Sequence, residues 1–171
     1  EHSSAASDVY KRQNLDIDKA NKILDDAGYK KGSDGMRFGL TVDFGWPGLK
    51  PNAEYTKAAL KKIGIDVTVR ASADFPTWAK TVSNHNFDLT WDTVFNWGDP
   101  VIGVHRTYQT SNIKKGVIWS NTQQYSNPKV DAIMEKAGVE NDMDKRKDLY
   151  SELQKMLAND LPVYWTNTLP Y

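Results

Sequence analysis

Helix-period and strand-period segments alternate along this chain, and that order restricts the fold more than any other feature of the sequence. Apolar residues recur every three or four positions over residues 16–27, 52–64 and 72–84. Residues 36–44, 65–71 and 87–95 instead alternate apolar and polar side chains. Strands separated by helices favour a parallel sheet with crossover connections. We therefore predict an α/β fold with a mostly parallel sheet flanked by helices.

Capping residues predict where these helices begin and end. Gly28 stands where a left-handed C-cap is expected. N-cap candidates, two of them followed by a proline in the first turn, are Ser72 or Asp74, Ser126 or Asn127, and Asp142. The second helix is expected to bury a stripe formed by Tyr55, Ala58, Ala59 and Ile63. A short strand over residues 162–167 is expected to close the fold.

Composition and charge exclude several functional classes. Lys and Arg number 22 and so do Asp and Glu, so the chain lacks the basic footprint of a nucleic-acid-binding or polybasic membrane-binding protein. There is no cysteine, which excludes disulfides, thiol nucleophiles and thiolate metal sites. No apolar stretch approaches the ~20 residues needed to span a bilayer. We predict no nucleic-acid partner and no membrane span.

Motifs for catalysis or metal binding are absent from the sequence. It contains no nucleophile elbow, no phosphate-binding P-loop and no dinucleotide-binding glycine motif. The three histidines, His2, His85 and His105, lack the spacing of a zinc site. Neighbouring acids such as Asp25 and Asp26 are typical of a solvated helix face. We therefore predict no catalytic residue, no metal site and no cofactor.

The irregular segment after the third predicted strand holds the best binding candidates. Ligands of open α/β sheets bind at the carboxyl ends of the strands, where residues 95–106 begin. Trp97, flanked by Asn96, could offer a flat apolar platform with a hydrogen-bonding neighbour, or it could be a core tryptophan. Trp46, in the Gly/Pro loop after the first strand, has the same two interpretations.

Charged residues in the same segment also have two interpretations each. Asp99 precedes Pro100, so it could cap a helix with proline in its first position, or it could face a ligand. His105 and Arg106 could hold an anion or a hydroxyl group, or they could pair with surface carboxylates.

Four longer segments occur in a specific order and spacing. They are "DIDKANKILDDAGY", "AALKKIGIDVTV" followed by "FDLTWDTVFNWGDP", "YSNPKVDAIMEKAGVENDMDKRKDLYSELQKML", and "DLPVYWT". Together they resemble the family 5 extracellular solute-binding proteins, the peptide, nickel and oligosaccharide receptors of bacterial ABC importers. The resemblance runs from about Asn14 to the end of the chain. It implies one α/β lobe, the C-terminal lobe, of a type II periplasmic-binding-protein fold.

The resemblance also implies where a ligand would bind. In this family the ligand is trapped between two lobes near the acidic-Pro pair, which makes Asn96, Trp97 and Asp99 the leading ligand-side residues, with Trp46, His105 and Arg106 as further candidates. Peptide-binding members usually place an acid where this chain has Asn96. A neutral amide cannot pair with a peptide's α-ammonium group, so a neutral or hydroxyl-rich solute is favoured over a free-amino peptide.

The function implied by the resemblance is capture of a small solute, such as an oligopeptide or oligosaccharide, for an ABC permease. The parent protein would be periplasmic, or extracellular and lipid-anchored. Two alternatives stay open: a hydrolytic enzyme from environmental DNA that lacks a recognisable motif, and an interaction module. An isolated lobe would also expose its interlobe face, through which it could self-associate.

The first residues of the chain have no place in this pattern. Residues 3–13, "SSAASDVYKRQ", match the translation of a common transposase-type sequencing adapter. We expect residues 1–13 to be a non-native, disordered leader. Residues 14–171 would then be the C-terminal lobe, truncated at both ends.

Overall fold

The structure, a computed structural model, describes residues 15–95 and 97–166. The predicted leader, residues 1–13, and the binding candidate Asn96 lie outside the described residues. Two compact units meet in the sequence at residues 94 and 95.

Three parallel strands form one sheet in the unit of residues 15–94. The strands are β1 (Phe38–Phe44), β2 (Ile65–Ala71) and β3 (Leu89–Trp91), in the order β2-β1-β3. Phe38 lies opposite Ile65, and Val42 lies opposite Leu89. The predicted parallel α/β sheet is therefore confirmed, although β3 is shorter than its predicted range.

Three helices accompany this sheet, and they are α1 (Ile17–Asp26), α2 (Lys50–Lys61) and α3 (Phe75–Ser83). Asp74 caps α3 by accepting a hydrogen bond from the Thr77 backbone N–H at 2.8 Å, as predicted. Gly28 has φ of 90°, which confirms the left-handed conformation expected after α1. A 3-10 turn, Pro47–Leu49, leads into α2.

The apolar core of this unit lies on one face of the sheet. Its buried residues are Val42, Phe44, Ala53, Ile65 and Val67.

The predicted buried stripe of α2 is wrong for two of its members. Tyr55 is 73% exposed and Ala58 is also exposed, whereas Ala53 is fully buried. Thr56 takes a half-buried place on this helix because its hydroxyl accepts a hydrogen bond from Trp91 Nε1 at 2.9 Å. A polar residue with a partner thus belongs to the packed side, which hydrophobic periodicity alone cannot predict.

Strand residues that alternate with the core residues carry polar side chains, and these side chains have hydrogen-bond partners. The fully buried Asp43 carboxylate accepts hydrogen bonds from Arg70 Nε at 2.8 Å and Nη2 at 2.9 Å. Trp78 Nε1 of α3 donates to Thr90 Oγ1 at 3.1 Å. Because a buried carboxylate without a partner is costly, the Arg70 fork is a requirement of this arrangement.

Helix α1 has no fully buried residue, and it is attached to the sheet unit by the half-buried Leu24, which packs on the core, and by hydrogen bonds from Arg37. Arg37 donates to Ile63 O at 2.8 Å, to Asn21 Oδ1 at 3.0 Å and to Asp25 Oδ1 at 2.6 Å. Arg37 also holds the pKa of Asp25 below its usual value. Polar contacts of Arg37 therefore add to the apolar contact that Leu24 makes with the core.

Helices form the unit of residues 95–166, and no strand occurs among its described residues. The helices are α4 (Val104–Tyr108), α5 (Pro128–Val139) and α6 (Met143–Asp160), with a 3-10 turn at Thr110–Asn112. Asn127 caps α5 and Asp142 caps α6, as predicted. The core between α5 and α6 includes Val130, Met134, Leu153 and Leu157, and Tyr108 of α4 packs with it.

The loop between α4 and α5 is organised by side-chain amides, one buried and one half-buried. Asn121 is fully buried, donates to Gln109 O at 3.1 Å and to Tyr125 O at 2.7 Å, and accepts from Tyr125 N at 3.0 Å. Gln123 Nε2 donates to Thr107 O at 2.6 Å. These side chains satisfy backbone groups that a sheet would have paired with other backbone groups.

The strand predicted over residues 162–167 is wrong in its described part, residues 162–166. A strand needs a hydrogen-bonded neighbour, and the described residues of this unit supply none. Trp165 is held instead through its side chain, whose Nε1 donates to Tyr108 Oη at 2.8 Å.

Candidate functional site

Three aromatic rings gather where β1 ends. Trp46 lies 6.5 Å from Phe75 and 6.3 Å from Trp78, measured between ring centroids, and Phe75 and Trp78 are 5.4 Å apart. Trp78 is fully buried, Trp46 is half-buried and Phe75 is 38% exposed. Trp46 is therefore neither a fully buried core tryptophan nor a fully exposed ligand platform. Its ring packs on other aromatics, and part of the residue stays accessible.

Gly45 makes this aromatic cluster possible. A Cβ atom at residue 45 would come within 3.3 Å of three carbon atoms of the Trp78 ring. The Gly45 N–H also donates to Trp91 O at 3.3 Å, which continues the β1–β3 pairing by one residue. A larger residue here would push α3 away from the end of the sheet.

Trp97 forms a second aromatic surface, in the other unit. Its ring stacks on Phe95 with 5.9 Å between centroids and 23° between planes. Phe95 is 47% exposed and Trp97 is 57% exposed, so the pair is accessible and Trp97 is not a core residue. A flat, accessible aromatic pair is suited to stacking on a sugar ring or an apolar side chain.

Asp99 is engaged by protein groups. Its Oδ1 accepts from the Val101 backbone N–H at 2.9 Å, and Arg146 Nη2 donates to Oδ1 at 2.8 Å and to Oδ2 at 2.9 Å. The Val101 N–H and then the Arg146 guanidinium lower the pKa of Asp99. Asp99 therefore caps a turn, and α4 begins only at Val104 instead of at Pro100.

His105 points into the core of its unit. It is buried, and its Nε2 lies 3.0 Å from Tyr150 Oη of α6. Burial lowers the pKa of His105, the nearby Asp99 carboxylate raises it, and the Arg146 guanidinium lowers it. The side chain is thus a neutral structural partner of Tyr150 near neutral pH.

Arg106 differs from its neighbour His105. Its Nε is buried and has no hydrogen-bond acceptor within residues 15–95 and 97–166. The Arg106 guanidinium can donate hydrogen bonds to the oxygen of a carboxylate or hydroxyl group from outside the chain. Of the charged candidates, Arg106 keeps the most hydrogen-bonding capacity for a ligand.

Two residues missed by the sequence analysis organise this region. Arg146 contacts Asp99 and lies 5.5 Å from the centre of the Tyr150 ring, while Tyr150 contacts His105. Their i, i+4 spacing on α6 places both on one helix face, which was the available sequence signal. The structure therefore groups Asp99 and His105 around α6, whereas Trp46 belongs to the other unit.

Other kinds of site have no support in the described residues. No group of three or more His, Asp or Glu side chains is arranged to hold a metal ion in residues 15–95 and 97–166. Within that same part of the chain, every helix is too short or too polar to cross a bilayer. Two surface depressions of about 240 and 290 Å³ contain none of the predicted binding residues.

Comparison with known proteins gives these residues a context. A family model described as bacterial extracellular solute-binding proteins, family 5 middle, matches residues 1–116. Protein XP55 of Streptomyces lividans is 29% identical over 153 residues, which are 85% of this chain and 27% of that protein.

Solved structures give the same fold. NikZ of Campylobacter jejuni, in complex with Ni(L-His), superimposes with a TM-score of 0.76 at 22% identity, over 87% of this chain and 31% of its own. The mannohexaose-bound periplasmic oligopeptide-binding protein of Thermotoga maritima gives 0.75 at 23% identity, over 92% of this chain and 32% of its own.

This chain therefore spans about a third or less of each of these relatives. Its fold is that of the solute-binding proteins, as the sequence segments predicted. Since the family model covers most of the chain, the protein belongs to the family 5 bacterial extracellular solute-binding proteins.

Proposed function

We propose that this chain is part of the substrate-binding component of a bacterial ABC importer, where it helps to capture a small solute and has no catalytic role. The exposed Phe95–Trp97 stack carries the proposal. Two accessible, nearly parallel aromatic rings lose apolar hydration when a ligand covers them, and they do so with little loss of side-chain freedom. The parent protein would act in the periplasm, or outside the cell on a lipid anchor, and deliver its solute to a permease.

The solute class we favour is a neutral, hydroxyl-rich oligosaccharide. Sugar rings present flat C–H faces that stack on tryptophan, and the Thermotoga maritima relative has mannohexaose bound. Asn96, by its residue type, could exchange hydrogen bonds with hydroxyl groups but cannot neutralise an ammonium group. Arg106 adds a donor for a hydroxyl or carboxylate oxygen. Oligopeptides are the second class, and the same relative is named as an oligopeptide-binding protein.

Ligand binding by purified protein tests this proposal. Calorimetric titration with mannohexaose, with other oligosaccharides and with tri- to nonapeptides should show that the protein binds solutes of one of these two classes. Trp97→Ala should then weaken it by roughly tenfold or more, because a buried tryptophan contact is a frequent source of binding energy. Tyr55→Ala is the matched control, since Tyr55 is also an exposed aromatic but belongs to the other unit, and its loss should leave affinity unchanged.

Two results would contradict the proposal. One is an absence of binding to every oligosaccharide and peptide in the screen. The other is unchanged affinity in Trp97→Ala, which would remove the aromatic pair from the binding surface. Asn96→Asp distinguishes the two solute classes, because it should improve affinity only for peptides that carry a free α-ammonium group.

A further inference from the structure

Asp99 and Arg146 form a well-defined ion pair close in sequence to the exposed Phe95–Trp97 pair. Arg146 Nη2 reaches both oxygens of the Asp99 carboxylate, at 2.8 and 2.9 Å. The Arg146 side chain is mostly buried and that of Asp99 is 43% exposed. With the Val101 N–H on Oδ1 as well, the carboxylate has three protein hydrogen bonds, which occupy three of its roughly four acceptor positions.

Arg146 is itself fixed by other groups of its unit. Its Nε donates to Ala137 O at 3.1 Å, near the end of α5. Its guanidinium carbon lies 5.5 Å from the Tyr150 ring centroid, and Tyr150 Oη in turn contacts His105 Nε2. A planar guanidinium held on several sides has few other orientations available. Asp99 therefore contacts a rigid part of the α5–α6 hairpin.

The chain between Asp99 and the aromatic pair is very short. Two residue steps separate Asp99 from Trp97, and two steps of extended chain span at most about 7 Å. Gly98, between them, has no atom within 4 Å of where a Cβ would stand, so it adds no packing constraint. The fixed Asp99 is consequently the nearest anchor for Trp97 on its carboxyl side.

We propose that Arg146 is a positioning residue, which acts through Asp99 to hold the Phe95–Trp97 pair in the orientation that a solute meets. The effect on solute binding rests on the proposed function. In this proposal Asp99 anchors the aromatic pair instead of contacting the ligand. Loss of the ion pair would leave the two rings exposed but poorly oriented, which weakens binding because the ligand must then order them.

Fluorine NMR of protein labelled with 5-fluorotryptophan measures the ring environment directly. The chain has six tryptophans, and Trp97→Phe identifies the Trp97 resonance. Asp99→Asn keeps an oxygen for the Val101 N–H but removes the charge, and Arg146→Met removes the guanidinium. Each variant should shift the Trp97 resonance, and the double variant should shift it no further. Arg146→Lys should restore part of the original position.

Lys145→Met is the matched control. Lys145 precedes Arg146 on α6 and makes an exposed ion pair with Asp142 at 3.7 Å. Its loss should leave the Trp97 resonance in place. An unmoved Trp97 resonance in both Asp99→Asn and Arg146→Met would overturn the positioning role, even if both variants were less stable.

Solute affinity separates this proposal from the proposed function. For a solute found in the binding screen, Asp99→Asn and Arg146→Met should each raise the dissociation constant by roughly three- to tenfold, with Lys145→Met unchanged. Unchanged affinity in both would overturn the proposal while the proposed function stood. If no solute binds at all, the proposed function fails, and the fluorine experiment still decides whether Arg146 sets the orientation of Trp97.

Discussion

The two units of this chain satisfy their backbone groups in different ways. In residues 15–94, the central strand β1 exchanges backbone hydrogen bonds with β2 and β3 in a regular parallel register. In residues 95–166, the loop before α5 depends on side chains, with Asn121, Gln123 and Ser120 each bonded to backbone atoms of other residues. Both the strand ladder and the side-chain bonds leave few buried polar groups unpaired in the described residues. Only the ladder follows from a repeating sequence pattern, the alternation of apolar and polar residues along a strand.

This difference determines which residues each unit can lose. A ladder of backbone bonds survives most side-chain changes provided that the apolar core remains packed. A loop held by individual amides depends on each of them, because no neighbour can replace a missing donor. The sheet unit should therefore be most sensitive to changes of volume, and the helical unit should also be sensitive to changes of polarity.

The largest effect is expected for Trp78→Ala in the sheet unit. Trp78 is fully buried, contacts Gly45 and donates to Thr90, so its removal leaves a cavity and an unpaired hydroxyl group. The free energy of unfolding should fall by about 3–5 kcal/mol, measured by urea unfolding with amide hydrogen exchange to separate the two units. Phe75→Ala, at the edge of the same cluster, should cost clearly less. A loss below about 1 kcal/mol for Trp78→Ala would contradict the dependence on packing.

A smaller loss is expected for Asn121→Leu in the helical unit. The substitution keeps a similar volume but removes the partners of two carbonyl groups and one N–H. Stability should fall by roughly 2–4 kcal/mol, with faster exchange of amides in the loop and in α4. Asn141→Leu, at an exposed position, is the control and should change stability by at most about 0.5 kcal/mol. Equal stability of both variants would show that the loop does not depend on its amides.

The smallest effect concerns pH and His105. Its pKa is lowered in the folded state, so the unfolded chain takes up the proton first as pH falls below the ordinary value of 6.5. The contribution of His105 to stability is complete above that pH and is lost progressively below it. Groups facing the ring are Asp99, Arg146 and Tyr150. Urea midpoints at pH 7.5 and 5.5 should therefore differ less in His105→Gln than in the wild type, and an equal difference would contradict this assignment.

Sequence reasoning predicted the sheet unit well because its signals are periodic. The three strands, the parallel order and the cap at Asp74 all follow from spacing and residue type. The buried face of α2 was missed because Thr56, a polar residue, packs inward through a hydrogen bond to Trp91. Such a bond joins residues far apart in sequence and leaves no local pattern.

The candidate site was predicted less completely. The exposure of Trp97 and its accessible platform agree with one of the two interpretations offered, and the role in binding stays a prediction. Asp99 is held by Arg146, and His105 is held by Tyr150. The residues of the Asp99–Arg146 pair lie 47 positions apart in the sequence, so no local pattern reveals their contact. The short closing strand was wrong over its described residues, because an alternating sequence forms a strand only where a neighbour is free to pair.

The strand order β2-β1-β3 has a consequence for how this chain is made. β1 lies at the centre of the sheet but leaves the ribosome first. Its partner on one side arrives 27 residues later, as the Asp43–Arg70 pair shows, and its other side is completed 47 residues later, as the Thr41–Asp88 pair shows. At a synthesis rate of about 5–20 residues per second, the backbone groups on both edges of β1 stay unpaired for roughly one to ten seconds. Chaperones that bind extended apolar segments therefore have their best opportunity at residues 38–44.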